Sequence, residues 1–432
     1  MNRLVLIFIS TLVIASCRNN HAVVKESDYS SYLNPVFINN QKKAAGSEKK
    51  FWINRLMADT GNYINKRELA KQYIQYFKLS GEIENLSIAD SLLRAASAKI
   101  NYKDAGTLYV QSQNAITQHR FSDAWMYNEM AEQADPNPYI NHLLAFDAGM
   151  ELGKYYEASK KISNLRDKTD FNYLIRLSKS EDRRGRLDKA IELMEKAAAV
   201  MEHKRKSNYL WALTNLADMY GHAGRIKDAY QTYLRVLTED SANLYCLKGI
   251  AWIAYSHDRN IRMAKNILQF IQAQTRMPDL LLQLAEMEQL EGNTERAKAY
   301  RKEFADEVTQ PAYGDMYNKY LIQLYAEEYI EFDKAIELAE KETRNRPTPE
   351  TYDWLGWVYF RKGDKQKAFE IVMQHVYKKT FEPDALLHCA YILAENGRKE
   401  DAEKLFEECL ESSFELGPET TAVIKEQLKS MR

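Results

Sequence analysis

The chain has few residues that would staple, break or over-charge a helical protein. Its 432 residues include 9 prolines, 16 glycines and 4 cysteines. So few prolines leave long stretches free to be helical, and so few cysteines exclude a disulfide-built scaffold. Neither charge dominates, with 60 Lys and Arg against 61 Asp and Glu, so nothing in the balance favours a nucleic-acid partner. The basic runs at 183–186 and 203–206 are interleaved with Glu181, Asp182 and Glu202 and read as solvated helix ends. Signatures of catalysis are missing too: there is no His-Glu-x-x-His, no Gly-x-Ser-x-Gly, no phosphate-cradling glycine loop and no Cys-x-x-Cys. The eight histidines are scattered. The nearest approach to a metal cluster is Asp384, His388 and Cys389, where Cys389 is rotated about 100° from His388 on a helix. No metal site and no cofactor is expected.

What the chain does have is a repeated turn. A glycine is followed five residues later by an alanine at Gly153/Ala158, Gly185/Ala190, Gly224/Ala229, Gly292/Ala297, Gly363/Ala368 and Gly397/Ala402. Seven residues before the glycine stands a small residue in five of these copies: Ser178, Ala217, Ala285, Gly356 and Ala390. The step from Gly363 to Gly397 is 34 residues, and Asp258 stands where the glycine would be in the copy between Gly224 and Gly292. The pattern predicts helix A, a tight glycine turn, and helix B whose alanine faces the small residue of helix A. Tyr233, Phe406, Met194 and Ile162, nine after the glycine, would seal each pair against the next. Two departures stand out. Phe146 occupies a small-residue position, and the 39-residue step from Gly185 to Gly224 predicts a longer helix or an extra loop near 201–207.

These positions together resemble the tetratricopeptide repeat, and about ten copies span roughly residues 66–416. The resemblance implies an all-α, right-handed solenoid with a concave groove lined by helix A, and it leaves function open. Counting the turn glycine as position 15, the groove positions are 2, 5, 9 and 12. They hold Tyr245, Lys248, Trp252 and Tyr255 before Asp258, and Glu350, Asp353, Trp357 and Phe360 before Gly363. Tyr317 and Tyr320 fall there in the copy before Ile330, and Tyr391 continues the stripe. Such a stripe is either packing or a set of aromatic anchors for a peptide. Position 9 lacks the asparagine that carboxylate-clamping members use.

The start of the chain carries a second signal. After Met-Asn-Arg an apolar run of 12 residues extends from Leu4 to Ala15, too short to cross a bilayer, which takes about 20, and suited to a secretory signal. Ile14-Ala15-Ser16-Cys17 resembles a bacterial lipobox, which implies acylation of Cys17 and, with Arg18 following, the outer membrane of a Gram-negative envelope, facing the periplasm. The expected organisation is a signal peptide at 1–16, a lipidated cysteine and flexible tether at 17–50, the solenoid at 51–416 with a first helix beginning near Phe51, and a capping helix at 417–432. Tyr29, Tyr32, Val36, Phe37 and Ile38 could instead pack on the first repeat. Three cysteines remain, Cys246, Cys389 and Cys409, an odd number that is a poor basis for a disulfide framework. Cys389 and Cys409 read as small buried hydrophobes, with a bridge between them the alternative in an oxidising compartment. Function is expected to be that of a non-enzymatic, membrane-anchored scaffold for another envelope protein or peptide. The alternative is a glycan-binding lipoprotein that partners an outer-membrane transporter.

Overall fold

A computed structural model describes residues 22–134 and 137–431. All regular structure among them is helical, in antiparallel pairs that stack on one another. No helix among the described residues is long and apolar enough to cross a membrane. The expected signal peptide at 1–16 and the expected lipidation site, Cys17, lie outside the described residues.

The six turn glycines all adopt left-handed backbone, with φ between 70° and 94°. In each turn the residue after the glycine donates its N–H to the carbonyl five residues before itself, as from Arg225 to Tyr220 (2.8 Å) and from Asp364 to Tyr359 (2.9 Å). That bond closes helix A and launches helix B. The alanines five residues on are at most 1 % exposed. Their partners Ala217, Ala285 and Ala390 are equally buried, and Ser178 donates its hydroxyl to the Ala190 carbonyl (2.7 Å). Tyr233, Phe406, Met194 and Ile162 are buried. The long step after Gly185 is absorbed by helices Leu187–Met201 and Lys206–His222, of 15 and 17 residues.

In two of the repeats that lack the glycine, the turn is one residue longer. Beyond Asp258 the left-handed residue is Arg259 (φ 58°), and Asn260 bonds back to Ala254 (2.8 Å). The same wide turn occurs at Ile330 (φ 56°), with Glu331 bonded to Tyr325 (2.8 Å). Asp258 therefore precedes the left-handed position and does not fill it. In the second case the extra residue shifts the helix A register by one, with Tyr329 in place of Ile330 as position 15. Tyr317 and Tyr320 consequently leave the groove positions and pack edge-on around Phe304, at 5.8 and 6.0 Å between ring centres.

The segment expected to be a flexible tether is folded over its described part. The Val23 and Val24 N–H groups donate to the Asp258 carboxylate at 2.8–3.1 Å, and Lys25 N–H donates to the Tyr230 hydroxyl (3.1 Å). Tyr29 and Ile38 are buried in the core of the central repeats and not against the first one, while Val36 stays exposed. A helix runs from Pro35 to Ala58, earlier than expected, capped by the Asn34 side chain on the Val36 N–H with proline in the first turn. Gln41 reaches Asp240 (2.8 Å). The far half of this helix pairs with Tyr63–Ser80. It is thus a strut between the central and first repeats.

The superhelix closes on itself. Arg276 N–H donates to the Ser80 carbonyl (2.9 Å), Pro347 lies against Gly153, the Phe381 ring covers Gly185, and Phe414 covers Gly221. Each pair is 193 to 196 residues apart in sequence, so one superhelical turn takes just under six repeats. A methyl group at Gly81 would collide with the Arg276 carbonyl, which makes that glycine a condition for the two turns to meet.

Two stability tests follow from this packing. Ala229→Leu overpacks a helix A/helix B contact and is expected to cost about 1–3 kcal/mol, whereas Ala199→Leu, on an exposed position of a neighbouring helix, should leave the melting temperature near wild type. Ile330→Gly relieves a β-branched residue held at positive φ while half-exposed, so urea unfolding should show a gain of about 0.5–1 kcal/mol.

Candidate binding groove

On the concave face, side chains at the groove positions bridge neighbouring repeats. Tyr245 donates its hydroxyl to Asp218 Oδ2 (2.8 Å), and Tyr233 donates to the other oxygen of the same carboxylate. Lys248 pairs with Asp279 of the next repeat, and Tyr255 donates to Glu286 Oε1 (2.6 Å). Burial pushes the Asp218 and Glu286 carboxyls up, and the phenol hydrogen bonds only partly offset it. Tyr245 is half exposed, Lys248 and Trp252 are half-buried, and Tyr255 is fully buried. Tyr245, Lys248 and Trp252 therefore keep accessible surface, whereas Tyr255 is an interior side chain.

The stripe before Gly363 is built differently. Trp357 is only 8 % exposed, stacked on the His388 imidazole at 4.0 Å, with Nε1–H donated to Glu327 (2.6 Å). Phe360 also stacks on Trp357, at 5.2 Å, and Tyr391 stands 6.0 Å away. Asp353 is buried against His388 Nδ1 (2.9 Å). Burial pushes the Asp353 carboxyl up. It also opposes a charge on His388, but the Asp353 and Asp384 carboxylates outweigh it and hold that imidazole above its usual range. Asp353 and Trp357 are packed interior groups and not free anchors. The reason is His388, one repeat on, whose flat ring covers the indole. Asp384 is taken by Lys319 (2.9 Å) and Cys389 is buried as a free thiol. Among the described residues no group of side chains is arranged to hold a metal ion.

The groove receives the chain's own C-terminal turn. The helical stretch Ser413–Met431 is broken at Gly417 (φ 77°, ψ 175°), and the turn before the break lies on the central repeats. The Phe414 carbonyl accepts from Trp252 Nε1 (3.0 Å) and Ser256 Oγ (2.7 Å). A cavity of about 300 Å³ remains beside it, walled by Asp218, Tyr245, Lys248, Trp252 and Phe414. The expected cap at 417–432 is thus a helix preceded by a segment that reaches back across one superhelical turn. Gly221 and the Gly417-Pro418 break were its only traces in the sequence.

Acids from different turns face one another nearby. Burial, then Glu350 and Glu415, push the Glu382 carboxyl up to about 7. Because the folded state holds this proton more tightly than the unfolded chain, its stabilisation is complete below about pH 4.5 and is lost as pH rises through 7. Glu382→Gln is expected to remove part of the fall in melting temperature between pH 5 and 8 while leaving the value at pH 5 unchanged. Trp357→Ala should cost about 3–5 kcal/mol, measured by urea unfolding, because it empties a packed stack.

Residues 383–415 match the family model described as tetratricopeptide repeat. No curated protein matches the chain. Among solved structures, it is similar to yeast Tom70 (13 % identity, 93 % of this chain and 96 % of that one, TM-score 0.37) and to human IFIT1, solved as a dimer with PPP-AAAA (15 %, 84 % and 94 %, 0.41). It is also similar to a tetratricopeptide repeat protein from Parabacteroides merdae (17 %, 61 % and 99 %, 0.35). The helix pairing, turn geometry and matched repeat make the chain an α-solenoid of tetratricopeptide-like repeats.

Proposed function

We propose that the chain is a non-enzymatic interaction scaffold that holds a peptide segment of another envelope protein in its concave groove and is tied to a membrane through lipid on Cys17. One observation carries the groove reading. The central repeats already hold an irregular peptide turn through Trp252 and Ser256, with open space and half-exposed aromatic and charged side chains around it. Aromatic surface beside fixed donors is what peptide grooves use. The glycan alternative has less to draw on, since the rings of Trp357 and Phe360 that could stack on a sugar are stacked on His388 and on each other.

The anchor reading rests on the Ile14-Ala15-Ser16-Cys17 pattern. Acyl chains contribute about 0.8 kcal/mol per buried methylene, so several together hold a protein firmly. By the same resemblance the membrane is the outer one and the solenoid faces the periplasm. The clasp of Val23 and Val24 on Asp258 leaves only Arg18–Ala22 between the cysteine and the fold. The central repeats would then sit within about 20 Å of the bilayer.

Metabolic labelling with palmitate should mark the wild-type chain and not Cys17→Ser, and the variant should leave the membrane pellet. Equal pelleting without label would contradict the anchor. Affinity capture from detergent extract, followed by mass spectrometry, should recover a protein that Trp252→Ala no longer holds. Recovery that is indifferent to Trp252 would contradict the groove.

A further inference from the structure

The seat of the C-terminal turn has the chemistry of a specific site. Gly221 stands at groove position 12, where other repeats carry side chains, and a methyl group there would approach the Phe414 ring to 2.6 Å. The missing side chain makes a slot that the ring enters. The Phe414 carbonyl, freed where the helix breaks at Gly417, takes two donors from the neighbouring repeat, Trp252 Nε1–H and Ser256 Oγ–H. Glu415 lies 3.6 Å from His222 Nδ1. Gly417, held at positive φ, packs beside the Trp252 ring, and a Cβ there would come within 3.2 Å of Glu286 Oε1. The cavity of about 300 Å³ alongside and the half-buried state of Phe414 set this contact apart from the sealed core contacts of Leu416, just before the break, and of Ile424 and Leu428 beyond it. A ring in a slot, a carbonyl with two donors and an acid near a histidine together define a short sequence and a shape.

We infer that Gly221, Trp252, Ser256 and His222 form a recognition site for a partner peptide that ends a helical turn with an aromatic residue followed by an acid, and that residues 413–417 fill this site in cis until such a partner displaces them. The inference rests on the groove reading above and narrows it to one ligand chemistry. The cis occupant raises the threshold for binding, because an incoming segment competes with a tethered one at high effective concentration.

The test uses the full chain and a labelled synthetic peptide, Ser-Ser-Phe-Glu-Leu-Gly, copied from residues 412–417. Fluorescence anisotropy should show Phe414→Ala binding the peptide at least tenfold more tightly than the wild type. Adding Gly221→Ala to that variant, or replacing the peptide's phenylalanine with alanine, should abolish the gain. Equal binding by wild type and Phe414→Ala, or binding indifferent to Gly221, would overturn the inference. Trp252→Phe guards against a folding defect, since it keeps a ring and removes one donor. Hydrogen exchange at 413–417 should then rise at an unchanged melting temperature, whereas unchanged protection, or unfolding of both variants, would show the turn to be a structural cap and overturn the proposal. Capture of a partner without peptide binding would leave the scaffold reading standing and this one refuted. Peptide binding without any captured partner would do the reverse.

Discussion

The contact between an alanine of helix B and a small residue of helix A sets everything above it. With at most a hydroxyl beyond Cβ at such a contact, the two backbones approach closely, and the left-handed glycine between them fixes the angle at which helix B returns. Each repeat then leaves the same apolar edge for the next, and stacking propagates as a nearest-neighbour interaction. The small rotation per repeat accumulates until, just under six repeats on, the chain meets itself. The backbone of Arg276 at Ser80 and the ring of Phe381 over Gly185 are results of that accumulated rotation.

Closure changes what the concave face is. In an open solenoid the groove positions would face water. Here they are bridged repeat to repeat by Tyr245 to Asp218, Lys248 to Asp279 and Tyr255 to Glu286, and partly covered by a segment from the next turn. Confining many carboxylates in that interior raises their proton affinity, most plainly at Glu382, where Glu350 and Glu415 add to burial. The same confinement pairs Asp353 with His388 beneath Trp357. Order at the groove is therefore bought by polar contacts between repeats, and the freely accessible part narrows to the surroundings of Trp252 and Tyr245.

The repeat was legible because its determinants are local: a glycine, an alanine five residues on and a small residue seven before recur whether or not the chain closes. Tyr245, Lys248 and Trp252 follow from that register, and all three keep accessible surface. Legibility failed where one residue was inserted or where distant segments meet. A wide turn and a tight one differ by one residue at 258–259 and 329–330, and nothing in the residue types announces it, so Tyr317 and Tyr320 were placed one position out. The strut from Pro35 to Ala58 is too polar to show a clear apolar period, although Asn34-Pro35 is a legible helix start. Burial of Trp357 depends on His388 lying flat across it. The seating of Phe414 at Gly221 joins residues 193 positions apart and required the curvature of the whole superhelix.

Closure of the superhelix is the claim on which the groove, its cis occupant and the acidic interior all depend. It is tested most directly by pulsed electron spin resonance between labels at Arg186→Cys and Lys379→Cys, two exposed positions flanking the Gly185–Phe381 contact. The native thiols Cys246, Cys389 and Cys409 are buried. A closed superhelix predicts one narrow, short distance distribution that broadens when Phe381 is replaced by alanine. A broad, long distribution in the wild-type background, unchanged by that substitution, would contradict the account.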